Sequence, residues 1–213
     1  YGKYEYHLIY VVRLSTQLSH GPANYICYVD AHDGELLMRN NTVLYEAPQQ
    51  ANVHVEGEVY TTHPFNPSSV EDLINLRVQK NGNNYYTDSL GNVSIPGNGS
   101  AVFSLEGLFA EVQTNGGVPT LTSQLSNSNV SFDNSNSTIQ ERTAFYSVNM
   151  IHDHLKSVFP TFTGLDYALE TNIDVQGSCN AYYDGTINFY AEGNGCNATA
   201  KIPDVVYHEY GHG

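Results

Sequence analysis

Apolar and polar residues alternate along the first two thirds of the chain, and a helical period emerges only in the last third. Tyr6–Leu14 is rich in Tyr, Ile and Val and predicts a strand. Ser19–Pro22 breaks it. Asn24–Asp30 predicts a second strand, and a His-Asp-Gly turn within Ala31–Gly34 leads into a third at Glu35–Arg39, giving an antiparallel meander. After the loop Glu46–Gln50, strand signals recur at Val53–Tyr60, Leu73–Val78, Asn84–Thr87, Ala101–Leu105 and Phe109–Val112. Their spacing of roughly ten residues suits a small β-sandwich. Ser123–Ser137 is rich in Asn and Ser and reads as a connecting loop.

Beyond Ser137 the period changes. Ala144, Val148, Ile151, Leu155 and Val158 fall on one face of a helix. Thr138 with Glu141 offers a capping box, and Pro160 stops the helix. Ala168–Val175 predicts a strand, followed by a hairpin whose Asp184-Gly185 pair signals a type I′ turn. Lys201–Gly213 predicts a second helix, with Pro203 in its first turn and Asp204 at its positive end. Gly211 inside that helix costs about 1 kcal/mol relative to alanine, which points to close approach of another element. The expected fold class is α+β, mostly β, in three segments: residues 1–46, 47–132 and 133–213.

Composition narrows the function classes. Eight basic against 22 acidic residues give a net charge of -14, which repels nucleic acid and anionic membranes. No apolar run is long enough for a membrane span. Cys179 and Cys196 flank the hairpin. A disulfide between them would contribute about 3 kcal/mol by closing a short loop and would imply an oxidising compartment; the alternative is two reduced, buried thiols. Cys27, on an alternating strand, reads as a buried, inert thiol.

The chemistry concentrates in His208–Gly213, the sequence HEYGHG. Histidines four apart turn to one side of a helix and can share a metal ion, while the glutamate after the first lies about 100° round the helix. That places His208 and His212 as nitrogen ligands to one catalytic zinc and Glu209 as general base toward a water. His152 and His154, two residues apart, face opposite ways and read as structural.

Three stretches add a family resemblance. YICYVDAHDGELLMRN resembles the closing hairpin of the propeptides of thermolysin-like and fungalysin-like proteases. The order VEGEVY, INLRVQKNGNNYYTDSLGNVSIP, AVFSLEG resembles transthyretin-like modules attached to secreted peptidases. The helix bearing His152-Asp153, the hairpin NAYYDGTINFY and PDVVYHEYGHG together resemble the N-terminal lobe of thermolysin-like and fungalysin-like zinc metallopeptidases, more closely the latter. The resemblance implies a propeptide-like meander, a small β-sandwich and a zincin lobe with two helices. It also implies a secreted zinc endopeptidase precursor acting on protein or peptide substrates, with Asn180 and Ala181 lining the substrate cleft. In that family a following C-terminal lobe supplies the third zinc ligand and the oxyanion-stabilising groups, so these 213 residues are expected to be inactive alone. Calcium is a further ion compatible with the family, with no residue assigned to it. The competing reading is an extracellular β-module protein for binding or adhesion, its metal motif vestigial.

Overall fold

The computed structural model describes residues 6–19, 21–43 and 49–213. Two compact units, Tyr1–Pro48 and Gln49–Gly213, divide the chain. Strand accounts for 46% and helix for 15%, so the protein is α+β and mostly β. Among the described residues no helix is long and apolar enough to cross a membrane.

In the first unit, strands β1 (Ile9–Leu18), β2 (Gly21–Asp30) and β3 (Leu36–Asn41) form an antiparallel sheet in the order β1-β2-β3. The meander follows from alternation and from the tight Ala31–Gly34 turn. Ala23, Cys27 and Asp30 of the central strand are buried, and Cys27 is a free thiol. The Asp30 carboxylate accepts the His32 N–H at 2.7 Å and meets the His7 and His32 rings. These bonds, the His32 N–H first, hold its pKa down to about 2.

The second unit begins with β4 (Gln50–Val59), β5 (Ser69–Asp72), β6 (Leu76–Lys80), β7 (Asn83–Tyr86) and β8 (Asn92–Pro96). There follow β9 (Ser100–Gly107), β10 (Ala110–Gln113), β11 (Thr120–Gln124) and β12 (Asn129–Phe132). Helix α1 (Ile139–Val158) leads to β13 (Leu169–Val175), β14 (Ala181–Tyr183) and β15 (Ile187–Tyr190). A 3-10 turn at Thr199–Lys201 precedes helix α2 (Pro203–Tyr210). One sheet has eight strands, β14-β15-β13-β10-β9-β6-β7 with β11 also on β9, and the other has four, β12-β4-β5 with β8 also on β4. The pairing of β10 with β13 is parallel, Ala110 opposite Leu169 through Gln113 opposite Asn172, so one sheet runs across residue 132. Val55, Phe103, Phe132, Phe145, Phe189 and Tyr210 meet in a shared core.

Helix α1 is fixed locally and at a distance. Thr138 caps it: its hydroxyl accepts the Glu141 N–H, and the Glu141 carboxylate accepts the Thr138 N–H at 2.7 Å. Arg142, 0% exposed, donates to Glu58 O at 2.8 Å, Ser137 O at 2.7 Å and Asn134 Oδ1 at 3.0 Å, tying the helix start to β4. Gly57 of β4 makes room, since a Cβ there would stand 3.2 Å from Arg142 Cδ and from Leu73 Cδ1.

Five local expectations are corrected. The polar stretch expected as a loop contains β12, in which Val130 and Phe132 are buried against β4 while Asn129 and Ser131 face out. The hairpin turn is not type I′: Tyr183 pairs with Ile187 across three residues, and only Gly185, at φ +106°, is left-handed. Asp184 keeps a negative φ, and its carboxylate instead accepts the Thr186 hydroxyl at 2.9 Å. Val158 is exposed, because α1 ends there. The second helix is shorter than expected, with Gly211 as its C-cap, so His212 stands one residue beyond it. Among the described residues no other element comes within 4 Å of a Cβ at Gly211, which would meet the His208 and Tyr207 carbonyls of its own helix at 3.4 Å.

Candidate metal centre and cleft

Pro203 starts α2 without an N–H to satisfy, and Pro203, Val206 and Tyr210 turn to the core at intervals of three and four. Burying a side chain such as Val206 contributes about 1.5–3 kcal/mol and fixes the helix's rotation. That rotation leaves His208 and His212 exposed and draws Glu209 inward, 6% exposed. The Nε2 atoms of His208 and His212 lie 3.2 Å apart, with their rings at 89°. Two nitrogens held about 2.0–2.1 Å from a tetrahedral zinc ion stand about 3.3–3.4 Å apart, so the pair fits such an ion. Among the described residues no third His, Cys, Asp or Glu joins them.

Beside the pair lies a cleft of about 330 Å³, lined among others by Cys179, Asn180, Ala181, Thr199, His208 and Glu209. Two of the expected groups, the motif helix and the start of the hairpin, therefore share one concavity. Among the described residues no protein donor bonds the Glu209 carboxylate; the residue is largely buried, but its carboxylate oxygens open on the cleft.

The hairpin strand β14 is the terminal strand of the eight-stranded sheet. Its neighbour β15 is antiparallel, and the Tyr190 N–H donates to Asn180 O at 3.3 Å. Bonded and non-bonded pairs alternate in such a ladder, so Ala181, opposite Phe189, points its N–H and C=O to the open edge. Asn180 O also accepts the Thr199 hydroxyl at 3.0 Å. Thr199 had no distinguishing signal in the sequence; it is recognisable only from the fold. Cys179 and Cys196 form a disulfide at the cleft rim.

The remaining polar groups are engaged elsewhere. His152 is buried, stacks on Phe109 at 3.4 Å between ring centroids and meets Asp166 at 3.1 Å, whereas His154 is exposed. The Lys156 ammonium, first, and His152 hold the Asp166 pKa below the usual carboxylate range. Lys201 pairs with Glu192 at 2.8 Å and lowers its pKa, which commits that carboxylate away from the histidine pair. Compared with models of protein families and with curated proteins, the chain matches none.

Proposed function

We propose that the cleft is the N-terminal half of the active site of a secreted zinc endopeptidase. The observation that carries this reading is the 3.2 Å approach of the His208 and His212 Nε2 atoms, with His208 lining a cleft that also holds Glu209, whose carboxylate no protein donor bonds among the described residues. His208 and His212 hold the metal, and the third protein ligand comes from outside the described residues, as a following lobe supplies it in the family the chain resembles. A zinc ion there would supply Lewis acidity, lowering the pKa of water so that a nucleophile is available near neutral pH. Glu209 takes a proton from the attacking water at its carboxylate and passes it to the nitrogen of the departing amine. The open edge of β14 pairs with an extended substrate through the N–H and C=O of Ala181, which holds the scissile bond beside Glu209. The disulfide between exposed Cys179 and half-buried Cys196 is compatible with an oxidising compartment.

Two measurements test this. Zinc titration of this chain is expected to show a site lost in His208→Ala and in His212→Ala and kept in Glu209→Gln. In the complete enzyme, Glu209→Gln is expected to lower kcat on a protein substrate by about 10²–10⁴. Equal zinc binding by the histidine variants, or wild-type turnover by Glu209→Gln, refutes the assignment.

A further inference from the structure

Strand β14 has three residues and a neighbour on one side only, too little to hold an edge in place by itself. What fixes it is a row of ties from the residues just before it to the segment leading into α2. Asn194 Nδ2 donates to Ser178 Oγ at 2.7 Å, Cys179 is joined to Cys196, and the Thr199 hydroxyl donates to Asn180 O at 3.0 Å. The receiving segment is itself closed, with Gly193 and Cys196 exchanging backbone hydrogen bonds at 3.1 and 2.9 Å. Cys179 sits at φ +61°, a left-handed conformation that disfavours a residue with a Cβ and that the cross-link helps maintain. Gly177, at φ +143°, lies so close under the Tyr190 ring that a Cβ would stand 2.8 Å from it. Cys179 is solvent-exposed and lines the cleft next to Ala181.

We propose that the Cys179–Cys196 disulfide positions the substrate-pairing edge of β14, and that its reduction by a dithiol releases this edge and weakens peptide binding. This rests on reading the cleft as a peptide site. In the reduction, a thiolate of the dithiol attacks one cysteine sulfur, the Cys179–Cys196 bond breaks and a mixed disulfide forms. The second thiol of the reductant then displaces the cysteine. Two electrons and two protons end on the Cys179 and Cys196 sulfurs, and the reductant leaves as its own disulfide. Both cysteines act through Ala181 and are positioning residues. The helix that carries His208 and Glu209 is anchored in the core by Val206 and Tyr210, so these two keep their places; His212, beyond the helix, also has the Tyr183 ring of β14 beside it, 6.4 Å between centroids.

The test compares the oxidised complete enzyme with Cys179→Ala/Cys196→Ala on a fluorogenic octapeptide. Zinc content is measured alongside, and backbone amide exchange is followed at Tyr182 and Tyr190. Exchange is also read in the wild-type chain reduced with tris(carboxyethyl)phosphine, which needs no variant to fold. We expect KM to rise about tenfold with kcat within about twofold, zinc content to stay equal, and the two amides to exchange at least about tenfold faster while those of β13 do not change. An unchanged KM, or a fall in kcat at constant KM, overturns the proposal. If the wild-type enzyme neither binds zinc nor cleaves peptides, the proposed function falls by itself. The positioning role is then decided by exchange alone, and unchanged rates at Tyr182 and Tyr190 overturn it.

Discussion

Two buried charges in the second unit, Arg142 at the start of α1 and Glu209 within α2, have opposite surroundings. Arg142 is closed in completely and each nitrogen of its guanidinium meets an acceptor: Glu58 O, Ser137 O and Oγ, and Asn134 Oδ1. Burial lowers its pKa, while the Glu58 carboxylate, 4.0 Å away, acts in the opposite sense. Glu209 is nearly as buried, yet its carboxylate has no protein donor among the described residues and opens on the cleft. Burial of charge therefore does not separate fold from chemistry; the set of partners does. A fully bonded charge holds elements together. A carboxylate that no protein donor bonds and that opens on a cleft ties no elements together, and it is free for the role proposed above.

The largest expected effect breaks the bonded member of the pair. Arg142→Met leaves the Ser137 and Glu58 carbonyls without their donor and is expected to lower unfolding free energy by about 3–5 kcal/mol, read from urea midpoints. Zinc bound per folded molecule stays the same. A loss under about 1 kcal/mol would mean that the network is not structural and the contrast is false. The second test acts on the unbonded member. Glu209→Gln replaces a carboxylate that no protein donor bonds among the described residues and is expected to leave stability unchanged or raise it by up to about 1 kcal/mol. Unfolding midpoints of the two proteins at neutral pH check it, and a loss of stability would reveal a partner for the carboxylate.

Asp30 of the first unit extends the contrast to pH. It is buried and bonded by the His32 N–H and the two imidazoles, so it belongs with Arg142. Its folded pKa, about 2, lies below the unfolded value of about 3.9. Its contribution to stability is therefore present in full above pH 4 and is lost as pH falls through 2. Following the first unit's unfolding between pH 5 and 2 is expected to show a loss of stability concentrated in that window for the wild type and absent from Asp30→Asn. Parallel pH profiles for the two proteins would remove Asp30 from the bonded class.

How much of this was legible depended on the range of the interaction. The Thr138–Glu141 capping box is local and is realised as read; the four-residue spacing of His208 and His212 is local too and brings their rings together, although the helix expected to carry both ends before His212. The partners of β12 are not local: it pairs in parallel with β4, some seventy-five residues earlier in the chain, and its Asn and Ser positions face outward, which hid the buried Val130 and Phe132. Arg142 was invisible for a related reason. A single arginine on an amphipathic helix reads as solvated, and only the approach of Glu58 across Gly57 makes it a buried post. The juxtaposition of Asn180 and Ala181 with α2 was expected from a zinc endopeptidase's need for a strand edge beside its metal and from family resemblance, not from local pattern, because the ties that create it run through Thr199 and the Cys179–Cys196 cross-link.

The smallest effect concerns the residue between the two motif histidines. If an element pressed on Gly211, an alanine there would disturb the pair, as the helix-interior cost of glycine had suggested. The structure gives Gly211 φ −70° and ψ −11°, a conformation that alanine adopts freely, and its N–H bonds to Tyr207 O at 3.0 Å in either case. Among the described residues, the atoms within 4 Å of a new Cβ are two carbonyls of the same helix, at 3.4 Å. Gly211→Ala is therefore expected to stabilise the chain by about 0.4–1 kcal/mol, by restricting the unfolded state, and to leave zinc affinity within about twofold. Thermal unfolding and zinc titration of the one variant measure both. A destabilised Gly211→Ala would mean that a neighbour outside the described residues packs against this turn. The position of His212 would then depend on that neighbour as well as on α2.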